Sequence, residues 1–227
     1  MKKHYFTVFE RVLWGCSVLL IGAAFLLFDR SNYLAMLSSL IGVTALIFSA
    51  KGNPWGPGLM IPFSLLYGYI SLTFAYYGEM ITYVGMTLPM SIVAVVGWLR
   101  NPYKGRKSEV AVAPLTVGKL AGMLTFTAVV TLVFYFILAY FHTANLIPST
   151  VSVATSFAAA YLTYLRSPYF ALAYAANDVV LIVLWAQASL VDRSYVSVFV
   201  CFVIFLINDL YGFCNWKRMQ DRQKTSD

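Results

Sequence analysis

Eight stretches of about twenty mostly apolar residues, separated by short polar breaks, take up almost the whole chain of 227 residues. They lie near Val12–Phe28, Tyr33–Ala50, Gly58–Tyr77, Met80–Leu99, Gly118–Phe141, Ile147–Leu165, Pro168–Val191 and Tyr195–Trp216. A helix rises 1.5 Å per residue, so about 20 residues cross a hydrocarbon layer of about 30 Å. Only 11% of the residues are charged, against about 25% in soluble domains. This is the pattern of an all-α polytopic membrane protein with eight transmembrane helices.

The breaks carry turn chemistry: Lys51-Gly52-Asn53-Pro54, Gly78-Glu79, Asn101-Pro102-Tyr103-Lys104-Gly105 and Arg166-Ser167-Pro168. The stretch from Arg100 to Val117 is the one substantial loop, and no soluble domain fits. Lys2 and Lys3 ahead of Val12–Phe28 resemble a signal peptide. Asp29-Arg30-Ser31-Asn32 follows instead of a small-residue cleavage site, so the segment is read as a retained helix. With eight spans, fourteen of the 16 Lys and Arg residues fall on one side, and Arg30 and Arg193 on the other. The positive-inside rule then places both termini in the cytoplasm. The net charge of +7 sits in loops and at helix ends, which gives no reason to expect a nucleic-acid partner.

A weak internal repeat appears at a shift of 115 residues. Lys51 falls on Arg166, Trp55 on Phe170, Gly78 on Arg193, and Gly97-Trp98 on Gly212-Phe213. Spans two to four then match spans six to eight, with span five returning the chain. The repeats are parallel, related by an axis along the membrane normal. The expected organisation is an extra N-terminal helix over 1–32, a triple-helix bundle over 33–100, a cytoplasmic loop and linker helix over 101–146, a second bundle over 147–216 and a cytoplasmic tail over 217–227. A central site between two bundles is the plan of small transporters.

Polar residues inside the spans are the site candidates, because they are costly in hydrocarbon. Span seven holds Asn177, Asp178 and Trp185, a possible substrate pocket; hydrogen bonding between packed helices is the alternative. In span eight, Asn208, Tyr211 and Asn215 share a face at i, i+3 and i+7. Asp209 lies about 100° from Asn208, which makes it a partner of a neighbouring helix or of the basic end. Tyr67, near the middle of span three, is a further candidate. Tyr76 and Tyr77 read as residues of an interfacial belt, and Trp14, Trp55 and Trp98 as interfacial anchors. Pro89 should kink span four.

Catalytic and cofactor chemistry is not encoded. There is no Gly-rich phosphate loop, no lysine inside a span and no nucleophile–base pair. His4 and His142 are far apart, and Cys16, Cys201 and Cys214 sit in apolar stretches. The expectation is a protein that is not an enzyme and holds no metal or cofactor. Phe63, opposite Asp178, and Ala94, opposite Asp209, leave no acidic pair at matching repeat positions, which argues against ion coupling.

From Leu37 to Trp216 the chain resembles the PnuC family of nicotinamide riboside transporters. The resemblance rests on Lys51-Gly52-Asn53 leading into Trp55-Gly56-Pro57-Gly58-Leu59, on Leu66-Tyr67-Gly68-Tyr69-Ile70-Ser71, on Tyr77-Gly78-Glu79-Met80 and on Val96-Gly97-Trp98. In the second half it rests on Asn177-Asp178-Val179-Val180 and on Tyr211-Gly212-Phe213 with Trp216. Val96 stands where family members often carry Tyr. The resemblance implies a fold like the SWEET sugar transporters and facilitated diffusion of nicotinamide riboside, a vitamin B3 precursor, across the bacterial inner membrane. It also implies trapping by a cytoplasmic nicotinamide riboside kinase and homo-oligomers, plausibly trimers. Relatives assigned to thiamine and riboflavin leave those vitamins as alternatives, and a non-transporting receptor or scaffold is a third class. In this picture Trp185 and Tyr211 stack on the pyridinium ring. Asn177 and Asn208 pair with its carboxamide or hydroxyls, and Asp178 offsets its charge or binds ribose.

Overall fold

The computed structural model describes residues 5–73, 77–143 and 145–225; Tyr76 lies outside them. The helix starts follow local chemistry. Thr7 caps α1 (Val8–Phe28): its Oγ1 accepts from the Glu10 N–H, and Glu10 Oε2 accepts from the Thr7 N–H at 2.7 Å. Asn32 caps α2 (Tyr33–Ala50) by accepting from the Ala35 N–H.

α2 ends in a Schellman turn. Gly52 has φ +64°, its N–H donates to Ser49 O, and the Asn53 N–H donates to Phe48 O. Pro54 follows and α3 (Trp55–Thr73) begins. The fourth crossing is broken into α4 (Tyr77–Ile81), a π-helical segment (Thr82–Thr87) and α5 (Leu88–Leu99). Pro89 cannot donate a main-chain hydrogen bond. The ladder just before it is widened by one residue, with the Leu88 N–H reaching back to Tyr83 O. The expected kink of span four therefore appears as a π-turn upstream of its proline.

The loop after α5 contains a hairpin, β1 (Pro102–Tyr103) and β2 (Arg106–Val110), turned by Lys104 and Gly105 at φ +47° and +75°. α6 (Val117–Tyr140) then runs along the outside, with Met123, Phe134 and Leu138 as its buried residues. α7 (Leu146–Tyr164) ends as α2 does: Arg166 has φ +57°, its N–H donates to Thr163 O, and the Ser167 N–H donates to Leu162 O. Pro168 precedes α8 (Tyr169–Val191). The same turn geometry thus occurs at Gly52 and at Arg166, 114 residues apart. α9 (Val196–Thr225) continues as helix through the expected tail.

Among the described residues, seven segments are long and apolar enough to cross a membrane: Val8–Phe28, Tyr33–Ala50, Thr82–Leu99, Val117–Tyr140, Leu146–Tyr164, Tyr169–Val191 and Arg193–Thr225. The protein is a multi-pass membrane protein. The eighth expected span, α3, has 19 residues, but Gly56, Pro57, Gly58, Pro62, Ser64, Gly68 and Ser71 dilute its apolar content.

α2 packs against α3 and α9, and α7 against α5 and α8. Two indoles mark these contacts. Trp98 of α5 donates from Nε1 to Thr163 O at 2.8 Å, and Trp216 of α9 donates to Ser49 O at 2.7 Å. Both side chains are 0% exposed. Trp98 is thus an interior residue, not an interfacial anchor, because a helix-end carbonyl satisfies its N–H. Trp55 is 66% exposed, and Trp14 is exposed with its N–H on Thr44 Oγ1.

α2 and α3 meet closely at their shared turn. A Cβ on Gly56 would lie 2.2 Å from Ser49 Oγ and 2.5 Å from Ser49 N. Gly56→Ala should lower stability by about 3 kcal/mol. Gly15→Ala, with open space around it, should leave the melting temperature in detergent unchanged.

Candidate functional site

Midway along α8, Asn177 and Asp178 are both buried. The amide oxygen of Asn177 accepts from Ser152 Oγ at 3.0 Å and Thr155 Oγ1 at 2.9 Å, both on α7. Two hydroxyls on Oδ1 orient the amide so that its nitrogen is the face left for a ligand acceptor.

Asp178 is 4% exposed and Asp209 on α9 is 5% exposed. The two carboxyl groups lie close to one another, with Tyr174 near them. Asp178 Oδ2 has no hydrogen-bond partner. Asp209 faces a neighbouring helix, as its offset from Asn208 implied. That its partner is a second carboxyl was not visible in the repeat alignment.

The first bundle contributes aromatic rings. Tyr67 on α3 lies 4.8 Å from Phe63 and 5.2 Å from Tyr83 between ring centroids. Its hydroxyl is 3.2 Å from Ser39 Oγ, which donates to Ala35 O. Trp185 packs at the edge of the same core cluster as Tyr67 and Tyr83, with Tyr195 at 5.3 Å. Tyr83 was not a sequence candidate. Its available signal was Pro89, since the π-turn ahead of that proline carries Tyr83 toward α3.

Asn208 and Tyr211 turn toward α1. Asn208 Nδ2 donates to Ser17 Oγ at 3.0 Å and to Ile204 O at 2.9 Å, while its Oδ1 has no donor. The Tyr211 hydroxyl donates to Glu10 Oε1 at 2.8 Å. Glu10 is 1% exposed and pairs with Lys51 at 3.1 Å. Asn215 Nδ2 donates to Ala50 O at 2.7 Å. The shared polar face read from the sequence thus lies against α1 and α2. It does not join Asn177, Asp178, Tyr67 and Trp185.

Outside the spans, partial burial lifts the Asp29 carboxyl above the usual range, with Asp192 nearby adding to it. The Ser194 N–H holds Asp192 below that range. Among the described residues no group of three His, Cys, Asp or Glu side chains is placed to hold a metal.

An oriented amide, a carboxyl with a free oxygen and clustered aromatic faces suit a polar ligand with a cationic or electron-poor ring. Together with a fold of long apolar helices, they belong to a multi-pass membrane protein. The chain belongs to the nicotinamide mononucleotide transporter family, the PnuC family, whose sequence profile matches residues 32–218. It is 27% identical over 220 residues to the nicotinamide riboside transporter PnuC of Neisseria mucosa, covering 95% of this chain and 83% of that one. It is 24% identical over 192 residues to the protein of that name in Haemophilus influenzae, covering 84% and 82%. Its fold matches the crystal structure of the vitamin B3 transporter PnuC with a TM-score of 0.82 at 25% identity, over 96% of this chain and 94% of that one.

Tyr211→Phe removes a hydrogen bond to a carboxylate. It should cost about 1.5 to 3 kcal/mol of stability while leaving ligand affinity within about twofold. Thermal unfolding and calorimetry on one preparation separate the two effects.

Proposed function

We propose that this chain carries nicotinamide riboside across the bacterial inner membrane by facilitated diffusion. The observation that carries the choice of a riboside over a mononucleotide is the charge of the interior. The lysines and arginines of the described residues lie at helix ends or in loops, whereas Asp178 Oδ2 sits buried without a donor. A phosphate dianion needs cationic partners; a pyridinium cation fits buried carboxyl groups. Asn177 donates to the carboxamide or ribose oxygens, Asp178 balances the ring charge, and Trp185 and Tyr67 supply aromatic faces, with Tyr83 beside them. Asn208 and Tyr211 hold α9 to α1.

The organisation that supports transport is two parallel three-helix repeats, as in SWEET proteins, joined by α6, with α1 outside them. The matching turns at Gly52 and Arg166 and the paired indole bonds favour it. Rocking one bundle against the other exposes the site alternately. Both termini face the cytoplasm, the protein assembles as a homo-oligomer, plausibly a trimer, and a cytoplasmic kinase traps the riboside. A second reading, proton-linked transport, is favoured by the closeness of two buried carboxyl groups, Asp178 and Asp209.

Calorimetry with nicotinamide riboside, its mononucleotide, thiamine and riboflavin tests the substrate. Micromolar or tighter binding of the riboside alone is expected, and preference for another vitamin would reassign it. Trp185→Ala should weaken binding tenfold or more, about 1.4 kcal/mol. Liposome uptake should be indifferent to an imposed proton gradient; acceleration by the gradient would favour the proton-linked reading.

A further inference from the structure

We propose that Trp98, Trp216 and the strap of residues 110–113 form the gate that closes one end of the transport path, with Gln223 as its latch. The inference rests on the alternating-access reading above and names the contacts that have to part.

Four hydrogen bonds gather at this end. Each indole crosses from the last helix of one bundle to the first helix of the other: Trp98 to Thr163 O and Trp216 to Ser49 O. The strap reaches both Schellman turns through its main chain. The Val110 N–H donates to Gly52 O at 2.9 Å, and the Ala113 N–H donates to Arg166 O at 3.0 Å. Under the strap the two indole rings lie 5.3 Å apart, and Phe170 lies 4.9 Å from Trp216. Trp98, Trp216, Phe170, Val110 and Met219 are buried in one cluster. A solute leaving the midspan site at this end would have to separate these rings.

The latch comes from the end of α9. Gln223 Oε1 accepts from the Val112 N–H at 2.8 Å, and Nε2 donates to Val110 O at 3.1 Å and Glu109 Oε1 at 3.0 Å. One buried amide thus pairs with the strap's main chain on both sides of Ala111.

A reversible lock tests this. A Cβ on Gly52 would lie 3.4 Å from Val110 Cγ1 and would meet Met219 only at its flexible tip. Arg166 already adopts the same backbone conformation with a full side chain. Gly52→Cys with Val110→Cys, in a background with Cys16→Ser and Cys214→Ser, is reconstituted in liposomes and oxidised. Riboside uptake should fall at least tenfold when the bond forms, return on reduction, and leave binding intact. Full uptake by the linked protein overturns the gate. If the pair does not link, Trp98→Phe with Trp216→Phe keeps the rings and removes both N–H donors. Hydrogen exchange at the Val110 and Ala113 amides should then rise at least tenfold, and so should that of Gln223→Ala. Unchanged exchange in both variants overturns the gate equally. If the unlinked protein binds the riboside but does not carry it, the transporter reading fails instead.

Discussion

A helix that ends inside or near a membrane leaves carbonyls that water cannot reach, and the protein itself has to satisfy them. At the ends of α2 and α7 each Schellman turn uses one lone pair of the Ser49 or Thr163 carbonyl, and an indole from the opposite bundle takes the other. The strap then occupies the carbonyls of Gly52 and Arg166. The requirement to satisfy main-chain acceptors therefore joins α2 to α9 and α5 to α7 at one end. The buried aromatic cluster, the course of the loop after α5 and the helical continuation of α9 all follow from those few bonds.

The same economy explains α1. Its capping box uses Glu10, but the carboxylate lies too deep to rely on water. Lys51 and Tyr211 complete its environment, and Ser17 does the same for Asn208. The polar face of α9 holds a helix that is otherwise mostly exposed. The ligand candidates on α8 instead face α7 and the other side of α9. One helix thus serves two neighbours with polar residues one step apart, Asn208 toward α1 and Asp209 toward Asp178.

Hydropathy and turn residues made the spans legible, because a bilayer demands long apolar segments and Gly, Pro and Asn mark their ends. The left-handed turn at Arg166 was not legible, because an arginine does not announce the conformation that Gly52 adopts so readily. Asn177 and Asp178 stood out as polar residues at midspan. The rest of the site was less readable, since a helical wheel gives directions within one helix and not which neighbour each direction meets. Trp98 looked like an interfacial anchor until Thr163 supplied an acceptor. Tyr83 was hidden by a π-turn, which adds a residue to one helical turn and rotates what precedes it by about 100°.

The Glu10 cluster also bears on how the chain is made. Its groups come from opposite ends of the polypeptide, Glu10 and Tyr211 being 201 residues apart. α1 enters the membrane first, with a carboxylate that Lys51 meets once α2 has followed. The phenol and amide of α9 are the last to be synthesised. Docking of α9 against α1 therefore waits for the helices between them, and an assembly that lacks α9 leaves Glu10 and Ser17 short of these partners. Such an intermediate carries the kind of exposed polar surface that membrane quality-control proteases recognise.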